Sequence, residues 1–262
     1  MKNLRKKIIR YFDFIEDKAF IDSNITVYKV EDIVNTVMEI LAAKEEDNII
    51  RTLLFCRDIS VQGIFPDKAV GEFRQIIPGT PFFPLVEKQV YNPNYFIRSD
   101  AVYTLGKMSF PQKNEILEKA FFYYLECDPL ICPRILFELF WLNDFSWELV
   151  KKLVMHKHFL FRWQVLDFLE SYSFPVEDGT SDYQEMNSIL EKLSKDAHPL
   201  VRTEAVFKMA EYDGVTPAIK PEHTVFSLSQ AFLQKIYYHN NSRYHILELE
   251  EFIAEKTYDV NM

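Results

Sequence analysis

Glycine is scarce in this chain, with six among 262 residues. Phosphate-cradling loops, tight hairpins and dinucleotide fingerprints all consume glycine for its freedom at positive φ, so the scarcity disfavours them and favours helices. Cysteine is sparse as well: Cys56, Cys127 and Cys132 are an odd number with no disulfide framework, which points to a reducing compartment. Cys127 and Cys132 lie five apart across the Asp128-Pro129 turn, a spacing that matches neither a CxxC redox pair nor a zinc knuckle. No apolar run approaches the roughly 20 residues that span a bilayer. The longest uncharged stretch, Gln75 to Val86, carries three prolines. The basic start (Lys2, Arg5, Lys6, Lys7, Arg10) is followed too soon by Asp13 and Glu16 to hold the apolar core of an export signal, and a cytoplasmic protein is expected. Positive charge is in deficit, 30 basic against 39 acidic residues for a net −9, so nucleic acid is not the expected partner.

Common catalytic signatures are missing too: there is no GxSxG elbow, no GxxxxGK[ST] loop, no GxGxxG fingerprint and no HExxH. His156-Lys157-His158 is the one close histidine pair, and at a helix start its two rings point apart, so neither a metal site nor any cofactor is expected.

What the chain does contain is self-similarity. Asn92 to Gly106 and Asp196 to Ala210 share an apolar residue before an arginine (Ile97-Arg98, Val201-Arg202), a small residue three after it and apolar or small residues seven and eight after it. Fainter copies surround Arg51, Arg134 (with Phe137 and Trp141) and Arg162 (with Phe161, Val165, Leu166 and Leu169). Apolar groups at −1, +3, +4 and +7 make one helical stripe, so each arginine sits near the start of a core-facing helix. Val30 to Lys44, Asn114 to Glu126, Ser146 to Met155 and Tyr183 to Lys195 carry the same periodicity and supply partner helices. Six residues before the arginines stand Asn92, Asp128, His156 and Asp196, with Glu45 in the weakest copy. One helical hairpin cannot bury its apolar face alone, so such units must stack. A polar group in the turn then bonds an arginine of its own or the next repeat and fixes the register.

These segments resemble HEAT repeats, including those of the bacterial phycobilin lyases. The resemblance runs from about Val30 to Asp213 and implies an all-α fold, a right-handed α-α superhelix of about five helical hairpins whose concave face holds a protein. The organisation read from it is one domain, 1–262, with an N-terminal capping helix in 1–29, repeats in 30–213 and C-terminal capping helices in 214–262. Asn92, Arg98, Asp128, Arg134, His156, Arg162, Asp196 and Arg202 are then register residues rather than ligands.

Aromatic content is high, at 15%, and clusters such as Phe121 to Tyr124 exceed what one stripe buries. Phe82, Phe83, Tyr123, Tyr124, Trp141 and Trp163 are therefore candidate partner anchors, with core packing as the competing role. Phe82 and Phe83 belong to Ile76 to Pro84, which reads as a rigid proline-rich loop.

The leading functional expectation is a non-catalytic scaffold or adaptor, with an immunity or inhibitor protein for a basic partner as its specific form. The alternative is a HEAT-like DNA glycosylase or lyase-type enzyme, since Trp163 and Asp167 lie one helical turn apart with Trp141 and Trp147 near in sequence. Trp141 to Glu170 lacks the Lys and Arg enrichment that holds a nucleic-acid backbone, and Asp167 reads as a solvated helix residue. A third idea is membrane-surface binding by the basic N-terminal turn, whose Ile8, Ile9, Phe12 and Ile15 fall near one helical face. Packing of that face on the domain is the preferred reading.

Overall fold

The computed structural model describes residues 2–14, 20, 23–25, 27–60, 82–107, 112–128, 130–141, 146–172, 179–216, 220–238 and 246–258. Among these are thirteen α-helices and no strand. In chain order they are α1 (Lys2–Arg10), α2 (Val30–Ala42), α3 (Glu46–Ser60), α4 (Phe82–Val90), α5 (Tyr95–Lys107), α6 (Lys113–Leu125), α7 (Cys132–Trp141), α8 (Trp147–Val154), α9 (Phe159–Tyr172), α10 (Ser181–Leu193), α11 (Pro199–Tyr212), α12 (Val225–Tyr238) and α13 (Ile246–Tyr258). The chain forms two compact units, Met1–Ala120 and Phe121–Met262, with the boundary inside α6.

Local signals account for several helix ends. Ser146 accepts the Glu148 N–H and Thr180 accepts the Tyr183 N–H, which satisfies donors left open at the starts of α8 and α10. Pro199 opens α11, where its missing N–H costs nothing. That helix ends in a Schellman motif: Gly214 takes φ 67°, and Gly214 N–H and Val215 N–H donate to Glu211 O and Ala210 O.

In the first unit α2 packs on α3 and α4 on α5, while α2 also meets α4 and α3 meets α5. The amphipathic α1 lies against α2 and α3, with Leu4, Ile8 and the following Tyr11 almost wholly buried. Leu4 and Ile8 of its apolar face are thus packed within the protein, while Phe12 is 41% exposed. In the second unit α8 packs on α9 and α10 on α11, α8 meets α10, and α9 lies between α7 and α11. Leu149, Val150, Leu153 and Val154 form the buried stripe of α8, each contributing about 2 kcal/mol relative to exposure. Within each unit, first helices therefore touch first helices and second helices touch second helices. The last pair is placed differently: α12 packs on both α13 and α9.

Three expectations need correction. The proline-rich segment becomes helix from Phe82 onward, because Pro84 falls in the first turn, where no intrahelical N–H bond is needed. Residues 61–81 lie outside the described residues. The stripe of Arg98 holds in full (Ile97, Ala101, Val102, Leu105), as does that of Arg162, but α7 is rotated. It buries Ile135, Leu136, Glu138 and Leu139 and leaves Phe137 half-exposed, with Arg134 Nε 3.4 Å from the sunken Glu138. On α11, Val206 is exposed while Glu204 and Lys208 turn inward.

Candidate functional site

The arginine register is a repeated local structure. Arg98 Nη1 donates to Asn92 O (3.3 Å) and Pro93 O (2.8 Å). Arg162 Nη1 donates to His156 O (2.8 Å) and Lys157 O (2.9 Å), and Arg202 Nη1 to Asp196 O (2.6 Å) and Ala197 O (3.2 Å). In each case the carbonyls are those six and five residues earlier, so the guanidinium ties the inter-helix turn to the second helix. The side chain at −6 closes the turn by accepting the N–H two residues on. Asn92 Oδ1 accepts from Asn94 (2.9 Å), Asp128 Oδ1 from Leu130 (3.3 Å), His156 Nδ1 from His158 (3.1 Å) and Asp196 Oδ1 from His198 (2.8 Å).

One copy also reaches the next. Arg162 Nε and Nη2 donate to Asp196 Oδ2 and Oδ1 at 2.6 and 2.9 Å, a bidentate pair linking successive hairpins. Burial works to raise the Asp196 carboxyl, but the bonds from Arg162 and the His198 N–H outweigh it and hold it below the ordinary carboxylate range. The weakest copy fails: Arg51 bonds Asp13 (3.2 Å) and lies over the Phe12 ring, while Glu45 takes Arg5 instead. The N-terminal turn has captured that guanidinium.

The histidines serve the same turns. His158 Nδ1 accepts the Leu160 N–H, the His156 ring packs on Phe161 (3.8 Å between centroids), and His198 stacks on Phe159 at 3.7 Å. Burial lowers the affinity of His156 and His198 for a proton. Among the described residues no three His, Cys, Asp or Glu side chains gather as a metal site.

Two carboxyls held well above their ordinary range, Glu204 and Asp167, lie between α9 and α11. Glu204 is fully buried; its Oε2 accepts from Trp163 Nε1 and from the Val225 N–H at the start of α12 (2.9 Å), and its Oε1 has no hydrogen-bond partner. Burial drives its carboxyl up to about 7 against these donors and Lys208, helped by the charge of Asp167. Asp167 is half-buried rather than solvated, and burial followed by the Glu170 charge raises it to about 6. Lys208, 4% exposed, donates to Glu170 and spans the same two helices. Only the +2 and +6 positions after Arg202 hint at this seam in the sequence, as charged residues on a face adjoining the apolar stripe.

The aromatic candidates divide. Phe83, Tyr124 and Trp163 are buried, at 2%, 4% and 1% exposure, and offer no free ring to a partner. Tyr123 is 55% exposed and its neighbour Phe122 41%. The run of four is sorted by helical geometry, Phe121 and Tyr124 facing inward three residues apart. Lys152 of α8 lies 5.5 Å over the Phe122 ring, and Met155, 66% exposed, ends the same helix. The side chains of Phe82 and Trp141 lie outside the described residues. Trp147 Nε1 donates to Asp182 (2.9 Å), so neither it nor Trp163 converges with Asp167 on an open groove.

No protein-family model matches this chain, and no curated protein matches it significantly.

Proposed function

We propose that the chain is a HEAT-like α-α superhelix that acts as a non-catalytic scaffold, and that its partner is a protein. The observation that carries the reading is the repeated arginine tie. In three hairpins the guanidinium is spent on turn carbonyls, which is the use a stacked-repeat platform makes of it. Such platforms expose large side-chain surfaces held rigid by the stack. Phe122 and Tyr123, with Met155 on α8, supply aromatic and thioether anchors on first helices, so the anchoring surface suggested here is that layer rather than the second-helix face. The net charge of −9 favours a basic partner through steering, which suits an inhibitor or immunity protein.

The enzyme alternative draws no support from Trp163, whose indole is enclosed and committed to Glu204. The test is affinity capture from the native host with the wild-type chain and with Phe122→Ser/Tyr123→Ala. A stoichiometric basic protein retained by the first and lost by the second supports the reading. Equal retention by both, or a partner that is nucleic acid, contradicts it.

A further inference from the structure

We propose that the α12–α13 hairpin is a proton-operated cover on the α9–α11 face, seated in mildly acidic medium and loosened as the pH rises. Each helix of this last pair is fastened by a side-chain contact, and the one at α12 responds to a proton. At α12 the fastening is Glu204, which receives the first backbone N–H of that helix while lying entirely out of water. At α13 it is Glu250, bonded to Nε2 of His158 across 92 residues of chain. Apolar contacts, including Phe232 against Phe252 at 5.6 Å, hold the two helices to each other.

The groups around Glu204 set the sign. Facing Glu204 are Trp163, Asp167 and, through Lys208, Glu170 from α9, Lys208 from α11, and the N-terminal end of α12. Full burial, helped by the Asp167 carboxylate, outweighs Lys208 and the two donors and makes the ionised form the costly one, and the partnerless Oε1 is where a proton is accommodated. Lifting α12 returns Glu204 to water, where it ionises freely. A carboxyl raised to about 7 in the seated state, and near 4.5 once released, favours seating fully below about 4.5 and loses that contribution as the pH climbs through 7.

The experiment is hydrogen–deuterium exchange of the full chain at pH 6, 7 and 8, corrected for intrinsic exchange. Opening of α12 is expected to rise about tenfold from pH 6 to pH 8, from the two Glu204 values, while α8 shows no such trend. Glu204→Gln, which mimics the protonated acid, should cut the α12 change to less than about twofold. A wild-type α12 as insensitive to pH as α8 overturns the proposal without any variant. A tenfold change that survives in Glu204→Gln also overturns it.

Discussion

Replacing Trp163 by Phe separates two kinds of stabilisation at the α9–α11 seam. The phenyl ring leaves part of the indole volume empty in a fully buried site, at a cost of about 1–2 kcal/mol that no titration alters. It also removes the Nε1–H donor to Glu204. A hydrogen bond to a charged acceptor contributes about 1.5–3 kcal/mol and one to a neutral acceptor about 1 kcal/mol. Glu204 titrates near 7, so the lost bond is the neutral kind at pH 5.5 and the charged kind at pH 8. The total cost should therefore be about 2–3 kcal/mol at pH 5.5 and larger by about 1 kcal/mol at pH 8. Without that donor, the Glu204 carboxyl should also move further up. Urea denaturation followed by far-ultraviolet circular dichroism at both pH values measures the difference. Trp147→Phe is the control, because its indole bonds Asp182 at a half-exposed position and its cost should be the same at both. A Trp163→Phe penalty that is equal at the two pH values, or greater at pH 5.5, refutes the assignment of Glu204 as a buried carboxyl that ionises near neutrality.

Other outcomes follow from the same geometry. Arg98→Lys, at a guanidinium only 4% exposed, should cost about 1–2 kcal/mol by losing one of its two carbonyl bonds, whereas Arg202→Lys at an exposed turn should cost less than about 1 kcal/mol; thermal melts compare the two. Leu4→Ala should cost about 2–4 kcal/mol in chemical denaturation, and Lys2→Glu and Lys6→Glu should stay within about 0.5 kcal/mol, since Leu4 is packed in the first unit and both lysines face solvent. Phe122→Ser/Tyr123→Ala should leave the melting temperature almost unchanged, because both rings are exposed, so any loss of partner binding reports on the surface and not on folding.

The helices were legible where apolar period and caps agreed. Ser146 to Met155 reads as a helix and forms one at Trp147–Val154, with Ser146 as its cap. Tyr183 to Lys195 was recognised although its cap, Thr180, lies just upstream. Arg98, Arg162 and Arg202 share a spacing to the turn that is fixed by the chain itself, so their carbonyl ties follow from local sequence. The pairing of Arg162 with Asp196 was legible as a class, an arginine meeting an acid at the turn of the following hairpin, because the sequence sets both at equivalent positions. Phe82 to Pro84 was misread because proline signals both a loop and the first turn of a helix. The capture of Arg51 by Asp13, 38 residues away, depends on tertiary folding that no repeat pattern encodes. Glu204 escaped notice for a similar reason: a lone glutamate on a helix reads as solvated, and only the arrival of Trp163 and α12 buries it.

The central claim, that a guanidinium fastens one hairpin to the next, is tested most directly by a double-mutant cycle between Arg162 and Asp196. Arg162→Met, Asp196→Ala and the double variant are compared with the wild type by urea denaturation at pH 7. The bidentate pair is 16% and 7% exposed, and a coupling of about 2 kcal/mol is expected. As the pH falls through the lowered Asp196 value that coupling should fade, since the stabilisation exists only while the carboxylate is ionised. A coupling below about 0.3 kcal/mol at pH 7, within the additivity of independent sites, would contradict the account.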